Sequence, residues 1–481
     1  MKLNLKKNHY FLLGVMLIYS ILTLVCLQNV YFWDVIQQAS KEGHWYYETN
    51  FSSLLLPAFS SNSEFMATGY HPPLMGIMTA LIWKIFGYHL WTSHVFFLFW
   101  GITLIYQVWK LVSLFFSEKY ARWVTLLILT EATLLAQLAV VSPDFILLTA
   151  FVMSIRGVLE KKPVLTLIGF FFLCCISMRG VFCGIIILFS HLLFYFKQSE
   201  KSASFIKTFW VYCPTLLVLT AYFTYYLSVR GWFFSDSAYS AHYEIPTGGV
   251  MLILKRIFSF ILRSVENGRF IIYLLAIILA AKMIKRKTKL DSSALFLLTI
   301  SVSLISMYIV FIFITQMPFS SRYFMPQYLL LTLLVLLFLS KQLSEKKTKI
   351  AFAVILCFQL TGHFWIYPEK IAIGWDCTLA HLPYYELRKE CFDFIDQNEI
   401  DYNDMSAGFC FYSQRRFVEL SDNKKRIGGG DISKQYFVYS NISNLQDELV
   451  DELKNVNQWK PIQQYKKWPV FITIYERIQT H

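Results

Sequence analysis

Several stretches of this chain are apolar for too long to serve as the core of a water-soluble domain. Runs 11–30, 124–140, 296–314 and 324–339 approach or reach the roughly 20 residues that an α-helix needs to cross about 30 Å of hydrocarbon. Inside lipid, backbone groups must pair within their own segment or in a closed barrel. The alternation of barrel strands is absent, so the runs are helices. The composition agrees, at 56% hydrophobic and 18% aromatic with 16% charged residues, and the chain reads as an all-α polytopic membrane protein.

Eleven spans are expected, over about 9–30, 92–116, 123–142, 144–160, 164–179, 180–196, 205–229, 258–281, 293–315, 323–340 and 350–366. Residues 72–87 are apolar enough to be a twelfth, and charge decides against it. With 72–87 lying along or dipping into the outer face, Lys119/Arg122, Arg156/Lys161/Lys162, Lys197/Lys201/Lys207, Lys282/Lys285/Arg286/Lys287/Lys289 and Lys341/Lys346/Lys347/Lys349 all face the cytoplasm. If it crossed, every cluster would face outward, against the positive-inside rule. The net charge of +13 is therefore a topology signal rather than a nucleic-acid surface. Lys2, Lys6 and Lys7 before an apolar stretch resemble a signal peptide, but the stretch is longer than an h-region and lacks a small-x-small site. It is expected to remain as the first span, with the N-terminus cytoplasmic.

The outer face then receives loop 31–91, loop 230–257 and the tail 367–481. Residues 1–366 form the membrane domain, and the tail is long enough for a small extracytoplasmic domain. Segments 436–439 and 470–475 read as strands and the acidic 447–456 as a helix, which predicts an α+β unit. The Gly428-Gly429-Gly430 run is expected to be a flexible turn. Cys26, Cys174, Cys175, Cys183, Cys213 and Cys357 lie in apolar spans as small buried hydrophobes. Two of Cys377, Cys391 and Cys410 could pair in an oxidising compartment, and no metal-type spacing exists among them.

Ionisable groups at membrane depth or its edge are costly, so each invites a functional reading. Asp34 follows the first span in Tyr31-Phe32-Trp33-Asp34, where a competing role is the N-cap of a helix over 35–43. Asp144, in Ser142-Pro143-Asp144, occupies a short outer turn where capping is again the alternative. Both carboxylates fall on the outer face, where they could serve as a general base with an electrostatic or metal-binding partner. Arg179 in Ser177-Met178-Arg179-Gly180 and Arg322 in Ser320-Ser321-Arg322-Tyr323 lie on the same face. Their guanidinium groups suit phosphate, against the alternative of snorkelling to headgroups. His71 precedes the Pro72-Pro73 pair.

Taken in order, these residues resemble a family. Asp34 followed by Ala39 and Gly43, then His71-Pro72-Pro73-Leu74 with Trp83-Lys84-Ile85-Phe86-Gly87, is similar to the membrane glycosyltransferases of the GT-C fold. The branch resembled is that of the protein O-mannosyltransferases and the lipid A aminoarabinose transferase (glycosyltransferase family 39-like). Ser142-Pro143-Asp144, Arg179-Gly180 and Arg322-Tyr323 resemble that family's acidic residue of the second outer loop, its basic residue before a Gly and its late Arg-Tyr. The similarity runs over about residues 1–340. Val35 stands where the family often has a second carboxylate, and His71 where many members have Lys.

The resemblance implies a polyprenyl-phosphate-linked sugar as donor, reached from the membrane, and a hydroxyl acceptor on a lipid, glycan or protein at the outer face of a bacterial inner membrane. Asp34 would be the base of an inverting displacement, and Asp144 would orient the acceptor or help bind a divalent ion. Arg179 and Arg322 would stabilise the departing phosphate, with His71 and Tyr323 among the substrate-binding residues. No cofactor is implied beyond that possible metal, held by Asp34 and Asp144. Two other classes are compatible with many spans: a lipid-linked sugar flippase or transporter, which would show matching broken helices in two halves, and a polysaccharide polymerase or ligase, which would lack the early Asp loop.

Overall fold

A computed structural model describes residues 2–58, 64–65, 71–197, 205–231, 245–246, 248–287 and 289–478. The first span, α1 (Lys2–Cys26), leads into a π-helical turn, Ile36–Lys41, which continues as α2 (Glu42–Glu48) and, after a loop, α3 (Leu74–Phe86). Then follow α4 (Leu90–Ser113), α5 (Glu118–Leu129), α6 (Ala132–Ala139), α7 (Pro143–Leu159), α8 (Pro163–Ile176), α9 (Met178–Lys197), α10 (Phe205–Phe209) and α11 (Cys213–Arg230). The helical body closes with α12 (Gly249–Val265), α13 (Phe270–Arg286), α14 (Ser292–Ile314), α15 (Met325–Gln342) and α16 (Glu345–Thr361).

Among the described residues six helices are long and apolar enough to cross a membrane, and up to eight if each of two bent pairs is one span. The other three expected spans are the shorter helices α7, α8 and α16, of 17, 14 and 17 residues. Helix α7 is the inner pillar: all its residues from Pro143 to Val158 are buried, and it packs against α4, α8 and α9. Helices α1, α9, α11, α13 and α14 instead turn Leu, Ile, Val and Phe side chains outward, as a lipid-facing belt requires. Helix α3 has 13 residues, about 20 Å at 1.5 Å per residue, too short to cross about 30 Å of hydrocarbon.

Two expected spans are broken by polar residues. Helices α5 and α6 meet at 57°, where the Glu131 side chain accepts the Leu134 N–H and caps α6. The expected span 258–281 does not exist as one helix: α12 and α13 meet at 99° through Glu266-Asn267-Gly268-Arg269, with Asn267 at φ 59° and Gly268 at φ 81°. Helix α12 thus takes up part of the segment expected to be an outer loop. The two breaks are tied together by buried charge. Arg269 pairs with Glu131 at 2.9 Å and donates to the Ser321 carbonyl at 2.6 Å, while the Ser321 hydroxyl bonds Glu266. The residue preceding Arg322 is thereby anchored to both bends.

The C-terminal unit is α+β, as expected. Strands β1 (Met405–Ala407), β2 (Gly428–Gly429), β3 (Tyr436–Ser440), β4 (Trp459–Lys467) and β5 (Val470–Arg477) form a sheet in the order β2-β1-β3-β5-β4. Strand β1 is parallel to both its neighbours, and β5 is antiparallel to β3 and β4. Helix α17 (Pro383–Gln397) packs on β4 and β5, with α18 (Arg415–Glu419) and α19 (Asp447–Leu453) completing the unit. The glycine run is not a loose turn, because Gly428 and Gly429 pair with Ser406 and Ala407. Cys377, Cys391 and Cys410 are separate buried thiols rather than a disulfide, and Cys213 and Cys357 are exposed rather than buried. Helical body and C-terminal unit share one apolar core that includes Phe32, Trp375 and Tyr384.

Candidate functional site

The site is assembled from chain turns at the ends of helices. Asp34 follows Trp33, which has φ 51°, and its backbone carbonyl accepts the Gln37 and Gln38 N–H groups, both at 3.0 Å. The helical segment after it has Val35 as its N-cap, with no side-chain cap. The Asp34 carboxylate is thus not a cap, and it pairs with Arg322 instead. Asp144 does not cap either: Ser142 accepts the Asp144 N–H at 3.2 Å and Pro143 opens α7, which frees the Asp144 carboxylate at a helix N-terminus. Arg179 is carried on the first turn of α9, where Gly180 passes so close to α8 that a Cβ would lie 1.7 Å from the Leu173 carbonyl oxygen. Only glycine fits that crossing.

Arg322 is the hub. It lies in a short 3-10 turn, Ser321–Phe324, before α15, and its side chain is 5% exposed. One terminal nitrogen donates to Asp34, the other donates to Asp376, and Nε faces Asp144 Oδ2 at 3.4 Å. Arg179 Nη2 reaches the other Asp144 oxygen at 2.8 Å. Both guanidinium groups lie over the Tyr323 ring, at 4.0 Å for Arg179 and 5.4 Å for Arg322. Asp144, Arg179, Arg322, Tyr323 and Tyr308 line one small cavity. Of the three acids paired with Arg322, Asp34 is the accessible one, with a side chain 40% exposed against 3% for Asp144 and 1% for Asp376.

Asp376 was not among the expected residues. It comes from the C-terminal unit, in the turn Trp375–Cys377. The turn is pinned by Gln137 of α6, which donates to the Asp376 carbonyl at 2.7 Å, and by the Trp375 indole, which donates to the Asn441 carbonyl at 3.1 Å. Burial raises the Asp376 carboxyl and Arg322 opposes that rise. A further carboxylate, from far along the chain, is thus brought to Arg322. A metal shared by Asp34 and Asp144 does not fit this arrangement, because the Arg322 guanidinium lies between the two acids. Among the described residues no group of three or more His, Cys, Asp or Glu side chains is arranged to hold a metal ion.

His71 is close by, but in a supporting position: its Nδ1 accepts the Met178 N–H at 3.3 Å, immediately before Arg179, and its carbonyl accepts the Tyr222 hydroxyl. Burial, followed by Arg179, holds the imidazole down at about 4, so near neutral pH it carries no charge for a phosphate. His44 and His381, also outside the spans, are likewise held at about 4, chiefly by burial. The unfolded chain takes up a proton at each as pH falls through about 6.5, while the folded chain resists until about 4. Stability is therefore complete above that range and is lost on acidification, on the order of 1.4 kcal/mol per pH unit and histidine. A thermal melt of the purified protein is expected to move down between pH 7 and pH 5. An unchanged midpoint would show that these imidazoles are not buried neutral.

No protein-family model matches the chain, and no curated protein does. Among solved structures, ArnT from Cupriavidus metallidurans bound to undecaprenyl phosphate shares the fold, with TM-score 0.52 at 11% identity over 96% of this chain and 97% of that chain. ArnT from the same organism in the apo state gives TM-score 0.54 at 11% identity over 97% and 98%. The likeness spans the helical body and the C-terminal unit together, so the chain has an ArnT-like polytopic membrane fold with a C-terminal α+β unit.

Proposed function

We propose that this ArnT-like membrane protein is an inverting glycosyltransferase that moves a sugar from a polyprenyl-phosphate donor to an acceptor hydroxyl. The observation that carries the reading is that Asp34, Asp144, Arg179 and Arg322, far apart in sequence, are joined in one ion-pair network, of which Asp144, Arg179 and Arg322 line one cavity, in a fold shared with a protein solved with undecaprenyl phosphate. In this reading the acceptor oxygen attacks the sugar's anomeric carbon and the bond to the phosphate oxygen breaks. The configuration inverts, and polyprenyl phosphate departs with the electron pair. Asp34 takes the acceptor proton, a task for which it is the most accessible of the three acids.

Arg179 is the phosphate ligand. Among the described residues its guanidinium makes one ion pair, to Asp144, whereas every nitrogen of Arg322 faces a carboxylate. Arg322 with Asp376 orients the base, and Tyr323 and His71 hold Arg179 in place. The division of labour is then a transferase body, 1–366, completed by a C-terminal unit, 367–481, that supplies Asp376. Lys/Arg asymmetry supports a cytoplasmic N-terminus, with site and C-terminal unit outside a cell membrane.

The test is purified protein in lipid nanodiscs with a panel of radiolabelled polyprenyl-phosphate sugars. One donor is expected to be consumed with release of polyprenyl phosphate. Failure to consume any of them, together with failure to bind undecaprenyl phosphate, would overturn the assignment. In intact cells an impermeant maleimide is expected to label an engineered thiol near residue 430 and to miss one near 346. The reverse pattern would invert the orientation.

A further inference from the structure

The lipid-facing belt does not stop where the last span ends. Helix α16 turns Ile350, Val354 and Phe358 outward, four residues apart and so on one face. Past its end, the 3-10 turn Gly362–Phe364 opens the run His363-Phe364-Trp365-Ile366-Tyr367, the aromatic composition of a membrane–water interface. Packing fixes the level of this run. A Cβ on Gly268 would lie 2.3 Å from the Phe358 carbonyl oxygen, and one on Gly362 2.1 Å from the Asn267 carbonyl oxygen, so the end of α16 lies against the bend between α12 and α13. Helix α13 has 17 residues from that bend to its basic end at Lys285 and Arg286, about 25 Å at 1.5 Å per residue. Helix α12 leaves the bend at 99°, across the spans rather than along them. Bend and aromatic run therefore mark one edge of the hydrocarbon.

The C-terminal unit meets that edge with the turn between β4 and β5. Trp468 stacks on Phe364, with ring centroids 6.2 Å apart and 20° between the planes, yet each residue is still 64% exposed. Stacking covers one side of each ring, and the apolar surface left over is unfavourable in water. Lys466 and Lys467 are exposed beside Trp468. Lys467 pairs with Glu386, and among the described residues Lys466 has no ion pair. An aromatic ring next to an unpaired lysine suits the headgroup level, where the ring takes the acyl boundary and the ammonium reaches phosphate. Beyond Phe364 the chain climbs along the hairpin: Glu369 accepts the Tyr439 hydroxyl, and Tyr439 lies opposite Thr473 in mid-sheet. The turn is thus the part of the hairpin nearest the hydrocarbon edge.

What covers these rings follows from continuity. A protein partner would call for a patch of its own, set apart from the spans, whereas Phe364 and Trp468 prolong the outward face of α16, which already meets lipid. The same solvent covers both. The turn is also bonded to the site. Asn441 donates to the Pro469 carbonyl at 2.9 Å and accepts the Phe471 N–H at 3.2 Å, and its own carbonyl takes the Trp375 indole beside Asp376. One residue therefore joins the turn to the segment whose carboxylate faces Arg322.

We infer that the turn over 466–469 is seated in the bilayer leaflet that the C-terminal unit faces, with Trp468 at the boundary between headgroups and acyl chains. The contact goes beyond the transferase reading and depends neither on it nor on which side of the membrane the unit lies. The test introduces the photo-cross-linking residue benzoylphenylalanine at position 358, 468 or 460 of the full chain, irradiates native membranes and weighs the purified protein. Position 358 reports the outward face of α16, and position 460 lies eight residues back along β4, roughly 26 Å at about 3.3 Å per residue.

Adducts with the mass of a phospholipid are expected at 358 and 468 and not at 460. No adduct at 468 while 358 forms one, a protein adduct at 468, or equal lipid yields at 468 and 460 overturns the inference. Absence of lipid adducts at 358 as well removes the belt that the turn extends, and overturns it too. A second measurement avoids the bulky residue. In nanodiscs, the difference in tryptophan fluorescence between wild type and Trp468→Phe isolates the signal of Trp468. That difference is expected to be lost when the lipids carry bromine on the acyl chain near the headgroup, because a ring seated there is in contact with the quencher. A difference that persists in brominated lipid places Trp468 in water and overturns the inference, with the transferase reading unaffected.

Discussion

Asp34→Asn is expected to lower turnover by at least about a hundredfold, because an amide cannot take the acceptor proton and general-base help is typically worth about 10²–10⁴ in rate. The same substitution is expected to leave the fold near wild type. The backbone contribution of Asp34, its carbonyl bonded to the Gln37 and Gln38 N–H groups, does not depend on the side chain. The carboxylate caps no helix, and Arg322 keeps Asp376 and Asp144 as counter-charges. A structural Asp34 and a catalytic one therefore separate in a single preparation. Thermal midpoint and undecaprenyl phosphate binding report the first role, and single-turnover transfer from the donor identified in the panel reports the second. Turnover within a few-fold of wild type would retire Asp34 as the base and transfer the role to Asp144.

The residues of this cluster differ in how legible they are in sequence, and the reason is the local background against which each stands. Asp34, Asp144, Arg179 and Arg322 are charges at the ends of apolar runs, where lipid makes them expensive and therefore conspicuous. Asp376 lies in a polar tail where an aspartate is unremarked, and its partner is 54 positions away. The signal it does carry is local: Trp375-Asp376 repeats the Trp33-Asp34 pairing of an aromatic with an acid. Glu131 and Arg269 are legible by the same rule as Arg322, since each interrupts or borders an apolar run, but that the chain bends there is a property of the packed structure. The α+β tail was readable because its strands are aromatic and β-branched on alternate sides of an acidic helix. Its role in the site was not, because that depends on a turn docking against α6. The roles of the two arginines were equally hidden, since which guanidinium is saturated by carboxylates is a property of the packed structure alone.

Arg322→Lys is expected to behave far worse than a charge-conserving change at a membrane surface. A snorkelling arginine would tolerate lysine, since both reach the headgroups with the same charge. Here the planar fork spans Asp34 and Asp376 while Nε faces Asp144, and one compact ammonium cannot meet three acids in three directions. Asp144 retains Arg179, and Asp34 is solvated enough to stand alone, so the burden falls on Asp376, which is 1% exposed. Breaking a buried pair by removing one partner typically costs about 3–5 kcal/mol. Arg322→Lys should therefore lower the thermal midpoint and abolish transfer together, and Arg322→Met should be worse on both counts. Combining Arg322→Met with Asp376→Asn, which removes the stranded charge, is expected to recover a large part of the stability without recovering activity, because Asp34 still lacks the group that orients it. Full stability and turnover in Arg322→Lys would show the hub to be peripheral. Recovery of activity in the double variant would show that Arg322 serves only to neutralise Asp376.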